Sequence, residues 1–140
     1  MSFIDYIGTH TEGTLHIRTC PGTREYSGRV VIMKIRLTSH KCDRQGMPVA
    51  GTESISHRIT LLMPDSVTTE IAPHTAIIGP ELTLKSVHGQ PGRFLIVDGF
   101  KPADGNVHHY EAKCTCTNGV AYIDIYRDGQ PELRLELTLP

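Results

Sequence analysis

The chain is poor in large aromatic residues and in long apolar runs. It has no tryptophan, and aromatic residues make up 6% of its 140 residues. No apolar run reaches the roughly 18–20 residues of a membrane-spanning helix, and the N-terminal stretch lacks the basic region and apolar core of a secretory signal. We therefore expect no membrane partner. Four cysteines without such a signal indicate free thiols in a reducing, cytoplasmic compartment.

The sequence also carries no motif of common catalytic chemistry. Gly-x-Ser-x-Gly, His-Glu-x-x-His and phosphate-binding glycine loops are all absent. Its carboxylates are dispersed along the chain, and Asp98 and Asp128 each precede a glycine, which is typical of turns. We predict that the protein is not an enzyme and that it uses no cofactor, and we keep a hydrolase or other enzyme with an unrecognised site as the alternative.

The nearest approach to a zinc-binding set is formed by His40, Cys42, Cys114 and Cys116. Their spacing is not the Cys-x-x-Cys knuckle of structural zinc sites. Cys114 and Cys116 share the apolar face of a predicted strand, where a buried free thiol acts as a small hydrophobic group. We predict no metal site and keep zinc as the alternative.

What the sequence has in abundance is turns, with thirteen glycines and nine prolines spread between short apolar runs. Side chains that alternate between apolar and polar predict about eight short strands. These lie at residues 14–20, 29–38, 55–63, 81–87, 93–98, 107–117 and in a C-terminal hairpin at 120–139. The length suits one domain. We predict a single all-β domain over residues 1–140, either a β-barrel or a β-sandwich of antiparallel strands.

Three segments fall outside this strand pattern. Residues 1–13 are predicted as an N-terminal arm, and residues 39–54 as a flexible loop. Residues 65–72 are the internal helix candidate, with Asp65 or Ser66 as its cap and Pro73 at its end. In the order and length of its elements the chain resembles the oligonucleotide-binding barrel, which implies an OB-like barrel.

Positive charge is concentrated in residues 14–44, which hold seven Lys/Arg against two acids in a chain whose net charge is −1. Alternation on the second strand predicts that Val31, Met33, Ile35 and Leu37 face the core. It places Lys34 and Arg36 outward, on one surface with His16 and Arg18 of the first strand. This basic hairpin predicts binding of single-stranded nucleic acid, with Tyr26 and Phe94 stacking on bases. The predicted contacts are His16, Arg18, Arg24, Tyr26, Arg29, Lys34 and Arg36.

The alternative function is a protein-interaction or assembly module, such as a small viral structural or host-factor-blocking protein. Tyr122, Asp124 and Tyr126 share the outward face of a strand, and exposed aromatic residues often anchor interfaces. The leucine-rich strand 132–139 starts next to Pro131, which suits an edge open to strand addition or self-association. Residues 120–139 carry four acids against two arginines. The basic hairpin therefore has a second candidate partner, which is this acidic hairpin of its own chain or of a neighbouring subunit.

Overall fold

The computed structural model describes residues 2–8, 10–19, 25–71, 74–102 and 108–140. It begins with one short helix, α1 (Phe3–Ile7), and continues as strands. The strands are β1 (Glu12–Thr19), β2 (Glu25–Ser39), β3 (Ser54–Leu62), β4 (Val67–Ile71), β5 (His74–Ser86), β6 (Arg93–Pro102), β7 (Tyr110–Thr117), β8 (Val120–Arg127) and β9 (Gln130–Thr138). Among the described residues, no helix is both long and apolar enough to cross a membrane.

The strands form a closed antiparallel barrel. Their order is β3-β2-β1-β9-β8-β7-β6-β5-β4, and the sheet closes because β3 also pairs with β5. Eight strands make up the barrel wall, and β4 lies beside β5 as an addition to it. The predicted all-β barrel is confirmed. Strands that follow one another in the chain are neighbours, with β4 as the one excursion, whereas the oligonucleotide-binding barrel is a five-stranded Greek key.

The barrel interior is filled by apolar side chains. Strands β8 and β9 show the expected alternation, because Ile123, Ile125, Leu135 and Leu137 are fully buried between outward-facing residues. The helix α1 lies across one end of the barrel, where Phe3 packs edge-on against the buried Phe94 at a centroid distance of 5.6 Å. The predicted N-terminal arm is thus a packed cap. The interior is a hydrophobic core rather than an open ligand cavity.

The predicted helix at residues 65–72 is wrong, because this segment contains strand β4 instead. β4 pairs with the first part of β5, from Val67 opposite Ile78 to Ile71 opposite His74. Its run of Val67, Thr68 and Thr69 is β-branched, which lowers helix propensity and favours a strand. Thr69 is buried in the resulting hairpin.

The predicted edge position of strand 132–139 is also wrong. β9 lies between β1 and β8, so both of its sides are paired. Its leucines at positions 133, 135 and 137 are buried in the core. Pro131 is accommodated by an irregularity in the β8–β9 ladder, where Ile125 lies opposite Leu133 but Tyr126 lies opposite Pro131. A bulge tolerates the missing proline N–H as well as an edge does.

Strand β2 is the longest in the molecule, with 15 residues. Residues 25–31 pair with β1, and residues 31–39 pair with β3. We call residues 25–32 the barrel half of β2 and residues 33–39 its arm half. The arm half continues, together with its connection to β3, as a projecting hairpin that we call the β2–β3 arm, residues 33–57. Every residue from 35 to 51 is exposed.

The connection at the tip of the β2–β3 arm has a defined hydrogen-bond pattern. The Asp43 side chain accepts hydrogen bonds from the backbone N–H groups of Gln45 and Met47, both at 2.9 Å. An isolated bridge joins Cys42 to Pro48. The segment predicted as a flexible loop therefore includes an ordered turn, and its first and last residues, Ser39 and Ser54, belong to the strands.

Candidate functional site

The predicted nucleic-acid contacts do not form one surface. His16, Arg18 and Arg29 lie on the outer face of β1 and β2, whereas Lys34 and Arg36 lie on the opposite face of β2. The predicted sharing of a face is therefore wrong. Phe94, predicted to stack on bases, is buried in the core. Arg24 and the side chain of Tyr26 lie outside the described residues.

The cause is that the sequence assignment of faces on β2 was inverted. Val30 and Ile32 are buried, whereas the odd-numbered residues from Val31 to Leu37 point outward. The register with β1 decides this, because Gly13 lies opposite Val30 on the core side. Residues 30–33 are all apolar, so alternation alone cannot identify the inner face.

The cations on the outer face of β1 and of the barrel half are neutralised by nearby carboxylates. The Arg29 guanidinium lies 2.6 Å from the Glu12 carboxylate on β1. The Arg18 guanidinium lies 3.4 Å from Glu136 on β9. At Arg18 the basic hairpin thus contacts the acidic hairpin of its own chain, which the sequence analysis gave as its second candidate partner.

The predicted interaction trio on β8 lies on one outward face, as expected, but its neighbours already contact it. Arg134 binds Asp124 through two nitrogens, at 2.6 and 3.2 Å, and stacks over Tyr122 with 4.5 Å to the ring centroid. The Asp124 carboxylate raises the pKa of Arg134. Lys113 lies 4.7 Å from the Tyr126 ring centroid. Each tyrosine ring therefore already carries a cation of the same chain.

The opposite end of the barrel from α1 holds ion pairs that the sequence did not indicate. His108 Nδ1 lies 3.1 Å from the Asp128 carboxylate, which also accepts a hydrogen bond from the His109 backbone N–H. These contacts lower the pKa of Asp128. Beside them, Arg127 lies 3.1 Å from the buried Glu132. His108 and Asp128 are 20 residues apart in the sequence, so no short sequence motif indicates their pairing.

The candidate zinc ligands are not brought together. Cys114 is buried on the core side of β7, where burial raises the pKa of its thiol. Cys42 is exposed in the β2–β3 arm. Within the described ranges, no group of three or more histidine, cysteine or acidic residues is arranged to hold a metal ion.

The surface that sequence analysis missed lies on β2 itself. Four apolar side chains on its outer face are 39–54% exposed, and we call them the apolar stripe. They are Val31, Met33, Ile35 and Leu37. The sequence contains the signal, since a run of alternating apolar residues is present, but the expected burial assigned this run to the core.

The arm half of β2 also has an unpaired backbone edge. The Ile32 N–H donates to Thr11 O at 2.8 Å, so even-numbered residues of β2 point their backbone groups toward β1. The next such residues are Lys34, Arg36 and Thr38. Their β1 side has no paired strand and no backbone hydrogen bond within the part of the chain that the structure describes.

The charges on the β2–β3 arm differ from those on the barrel half. The arm holds four Lys/Arg against two acids. None of these four cations forms an ion pair with a described carboxylate. Lys34 donates instead to the Ile7 carbonyl at 3.4 Å, and partial burial lowers its pKa. Asp43 is engaged in its own turn, and Glu53 lies 3.9 Å from His40.

Comparison with known proteins found no matching family, no similar curated protein and no similar solved structure.

Proposed function

We propose that this protein is a protein-interaction module that binds an extended segment of a partner protein along the arm half of β2. The observation that carries the proposal is the coincidence of two features on the same residues. The backbone edge at Arg36 and Thr38 has no partner among the described residues, and the apolar stripe beside it is exposed. Such an edge is a template for another strand.

Main-chain hydrogen bonds would supply the affinity of this contact. An added strand beside residues 33–39 pairs with the N–H and C=O groups of Lys34, Arg36 and Thr38. Its outward side chains then lie next to Met33, Ile35 and Leu37 and cover their exposed surface. This mode of recognition needs no rearrangement of the barrel, because β3 already holds the arm half on its other side.

Native proteins usually protect such an edge. Charged side chains on the edge, charges that point inward, prolines, bulges and covering loops are the common devices. The arm half carries one of them, the cations Lys34 and Arg36 on its inner face, but it has no proline and no bulge against β3. Its outward side chains are apolar and exposed, which supports a role in binding.

The proposal is tested with a proline at position 36. The probe is a fluorescent peptide of alternating valine and threonine with soluble Gly-Ser flanks. We expect Arg36→Pro to weaken peptide binding by tenfold or more, about 1.4 kcal/mol, because it removes one edge N–H and places a ring in the partner's path. Fluorescence anisotropy measures the affinity. Hydrogen exchange of the unmodified protein should show protection at Arg36 and Thr38 when the peptide binds.

Arg44→Pro is the matched control, since it removes the same charge from the same arm. Arg44 occupies the second position of the Asp43–Gly46 turn, which tolerates proline. We expect this variant to bind the peptide like the unmodified protein. Equal weakening by both variants, or no binding of any alternating peptide, would contradict the proposal.

Single-stranded nucleic acid is the competing outcome of the same experiment. A labelled oligonucleotide is titrated at two salt concentrations. Binding that weakens steeply with salt, is lost in Lys34→Glu plus Arg36→Glu, and is weakened no more by Arg36→Pro than by Arg36→Gln would favour the basic hairpin as a nucleic-acid site.

A further inference from the structure

We infer that the partner segment bound along β2 alternates apolar residues with acidic residues, and that its acidic side chains pair with Lys34 and Arg36. This inference rests on the proposed function and names the chemistry of its partner. It follows from which side chains stand on each face of the arm half and from what those side chains already contact.

The geometry of a sheet fixes which side chains meet. Side chains of neighbouring strands at paired positions point to the same face. On the outer face, a strand added to β2 meets Met33, Ile35 and Leu37. On the inner face it meets Lys34 and Arg36. Successive residues of the added strand therefore lie alternately next to an apolar side chain and next to a cation.

Arg36 is the charge that most needs a partner. It is exposed, and no described carboxylate lies within ion-pair distance of it. On the barrel half, by contrast, Arg29 is matched by a carboxylate of the neighbouring strand β1. Among the described residues the arm half has no neighbouring strand on that side, so an added strand can supply the matching acid.

Further cations stand on the strands beside the arm half. On β3, Arg58 lies opposite Ile35 of β2 on one side and opposite Lys85 of β5 on the other. Neither Arg58 nor Lys85 forms an ion pair with a described carboxylate. On the inner face, β3 contributes His57, opposite Arg36. Lys34 already donates to the carbonyl of Ile7 on α1. Acidic side chains of the added strand are therefore complementary to the inner face, and its apolar side chains are complementary to the apolar stripe on the outer face.

A second copy of this chain fits the same edge less well. In an antiparallel pairing of two arm halves, the even-numbered residues of both copies share the inner face. Lys34 then lies opposite Arg36 of the other copy, or Arg36 lies opposite its own equivalent. Like charges directly opposite each other destabilise a sheet. The apolar stripes match in such a dimer, but the charges do not.

The edge also limits the length of the segment. The arm half has seven residues, which span about 23 Å at roughly 3.3 Å per residue. Two acidic positions separated by one apolar residue match the spacing of Lys34 and Arg36. The segment that fits is an apolar–acidic–apolar–acidic–apolar run of extended chain.

The test compares three fluorescent peptides of the same length, in which valine alternates with glutamate, threonine or lysine. We expect the glutamate peptide to bind about 2- to 30-fold more tightly than the threonine peptide, as two exposed ion pairs would give. The lysine peptide should bind more weakly than both. The preference for glutamate should shrink at high salt and in Arg36→Gln, which keeps the edge N–H but loses the charge.

Arg44→Gln is the matched control, because it removes a cation from the arm away from the edge, and it should retain the full preference. If all three peptides bind equally and Arg36→Pro still abolishes binding, the acidic partner is excluded while strand addition stands. If no peptide binds, strand addition itself fails. Dimerisation of the unmodified protein at micromolar concentration, abolished by Arg36→Pro, would identify a second copy as the occupant and overturn the inference.

Discussion

The two halves of β2 belong to one continuous strand but have different neighbours. Among the described residues, residues 25–30 of β2 pair with β1 alone and residues 33–39 with β3 alone, whereas Val31 and Ile32 contact both neighbours. Outward from the barrel half stand Ser27 and Arg29, and Arg29 is paired with Glu12. Outward from the arm half stand Met33, Ile35 and Leu37, and on its inner face stand Lys34 and Arg36, which form no ion pair with a described carboxylate. Both halves have one unpaired side within the described residues, but only the arm half places a row of exposed apolar side chains beside it.

Exposed apolar side chains have to be judged together with the backbone groups beside them. Single exposed apolar side chains are common on protein surfaces. A row of them next to unpaired N–H and C=O groups is different, because one added strand satisfies both at once. Within the part of the chain that the structure describes, the arm half meets that condition at Arg36 and Thr38.

Hydrogen exchange should give the largest contrast between the halves. The amide of Val30 points toward β1, opposite Gly13, whereas those of Arg36 and Thr38 point to the unpaired edge. We expect Val30 to exchange at least about a thousandfold more slowly than Arg36 or Thr38, relative to intrinsic rates. Exchange measured by NMR checks this. Similar protection of all three amides would mean that the arm edge is covered.

Proline substitution should separate the halves next most strongly. Val30→Pro removes a ladder hydrogen bond and a buried side chain, and we expect it to lower the free energy of unfolding by about 4 kcal/mol or more. Arg36→Pro has the same position relative to the pleat, but the Arg36 N–H forms no backbone bond with a described residue, so the substitution should cost less than about 1 kcal/mol. Denaturant unfolding monitored by circular dichroism measures both. A large loss in Arg36→Pro would show that its N–H is already bonded.

Alanine substitution distinguishes the two faces of β2. Ile32 is 3% exposed and Ile35 is 54% exposed. We expect Ile32→Ala to cost about 2–4 kcal/mol of unfolding free energy and Ile35→Ala less than about 0.5 kcal/mol. The same denaturation measurement applies. The reverse ranking would restore the face assignment expected from the sequence.

The smallest expected effect concerns the ion pair on the barrel half. Glu12→Gln breaks the contact with Arg29, but both side chains are more than half exposed. We expect a loss of less than about 0.5 kcal/mol, because water and salt screen such a pair. A double-mutant cycle with Arg29→Gln isolates the pair from other effects. A coupling above about 1 kcal/mol would indicate a role in holding β1 to β2.

The strands of the barrel were predictable where one face alone is apolar. The hairpin at 120–139 is the clearest case, since alternating leucines point inward and charges point outward. On β2 both faces of residues 30–33 are apolar, and the register with β1 decides which face is inner. That register is a tertiary property, so local alternation assigned the faces the wrong way round.

The candidate site was hidden for the same reason. Leu133 and Met33 stand in similar alternating runs, yet Leu133 is in the core and Met33 is on the surface. Whether a strand lies at an edge depends on its neighbours in space. Pro131 indicated an edge for β9, but a bulge between two paired strands accommodates it. The edge of the arm half has no such residue to mark it.

The pairing of β1 with β9 has a consequence for how the chain folds. Thr14 lies opposite Thr138, so the wall closes between residues that are very distant in sequence. Bringing such distant segments together is entropically costly, and folds dominated by such contacts form slowly. During synthesis, β1 waits for most of the chain to be made before its second neighbour exists. We therefore expect an interval in which the unpaired edge of β1 is exposed, can pair with the wrong strand and can be bound by a chaperone.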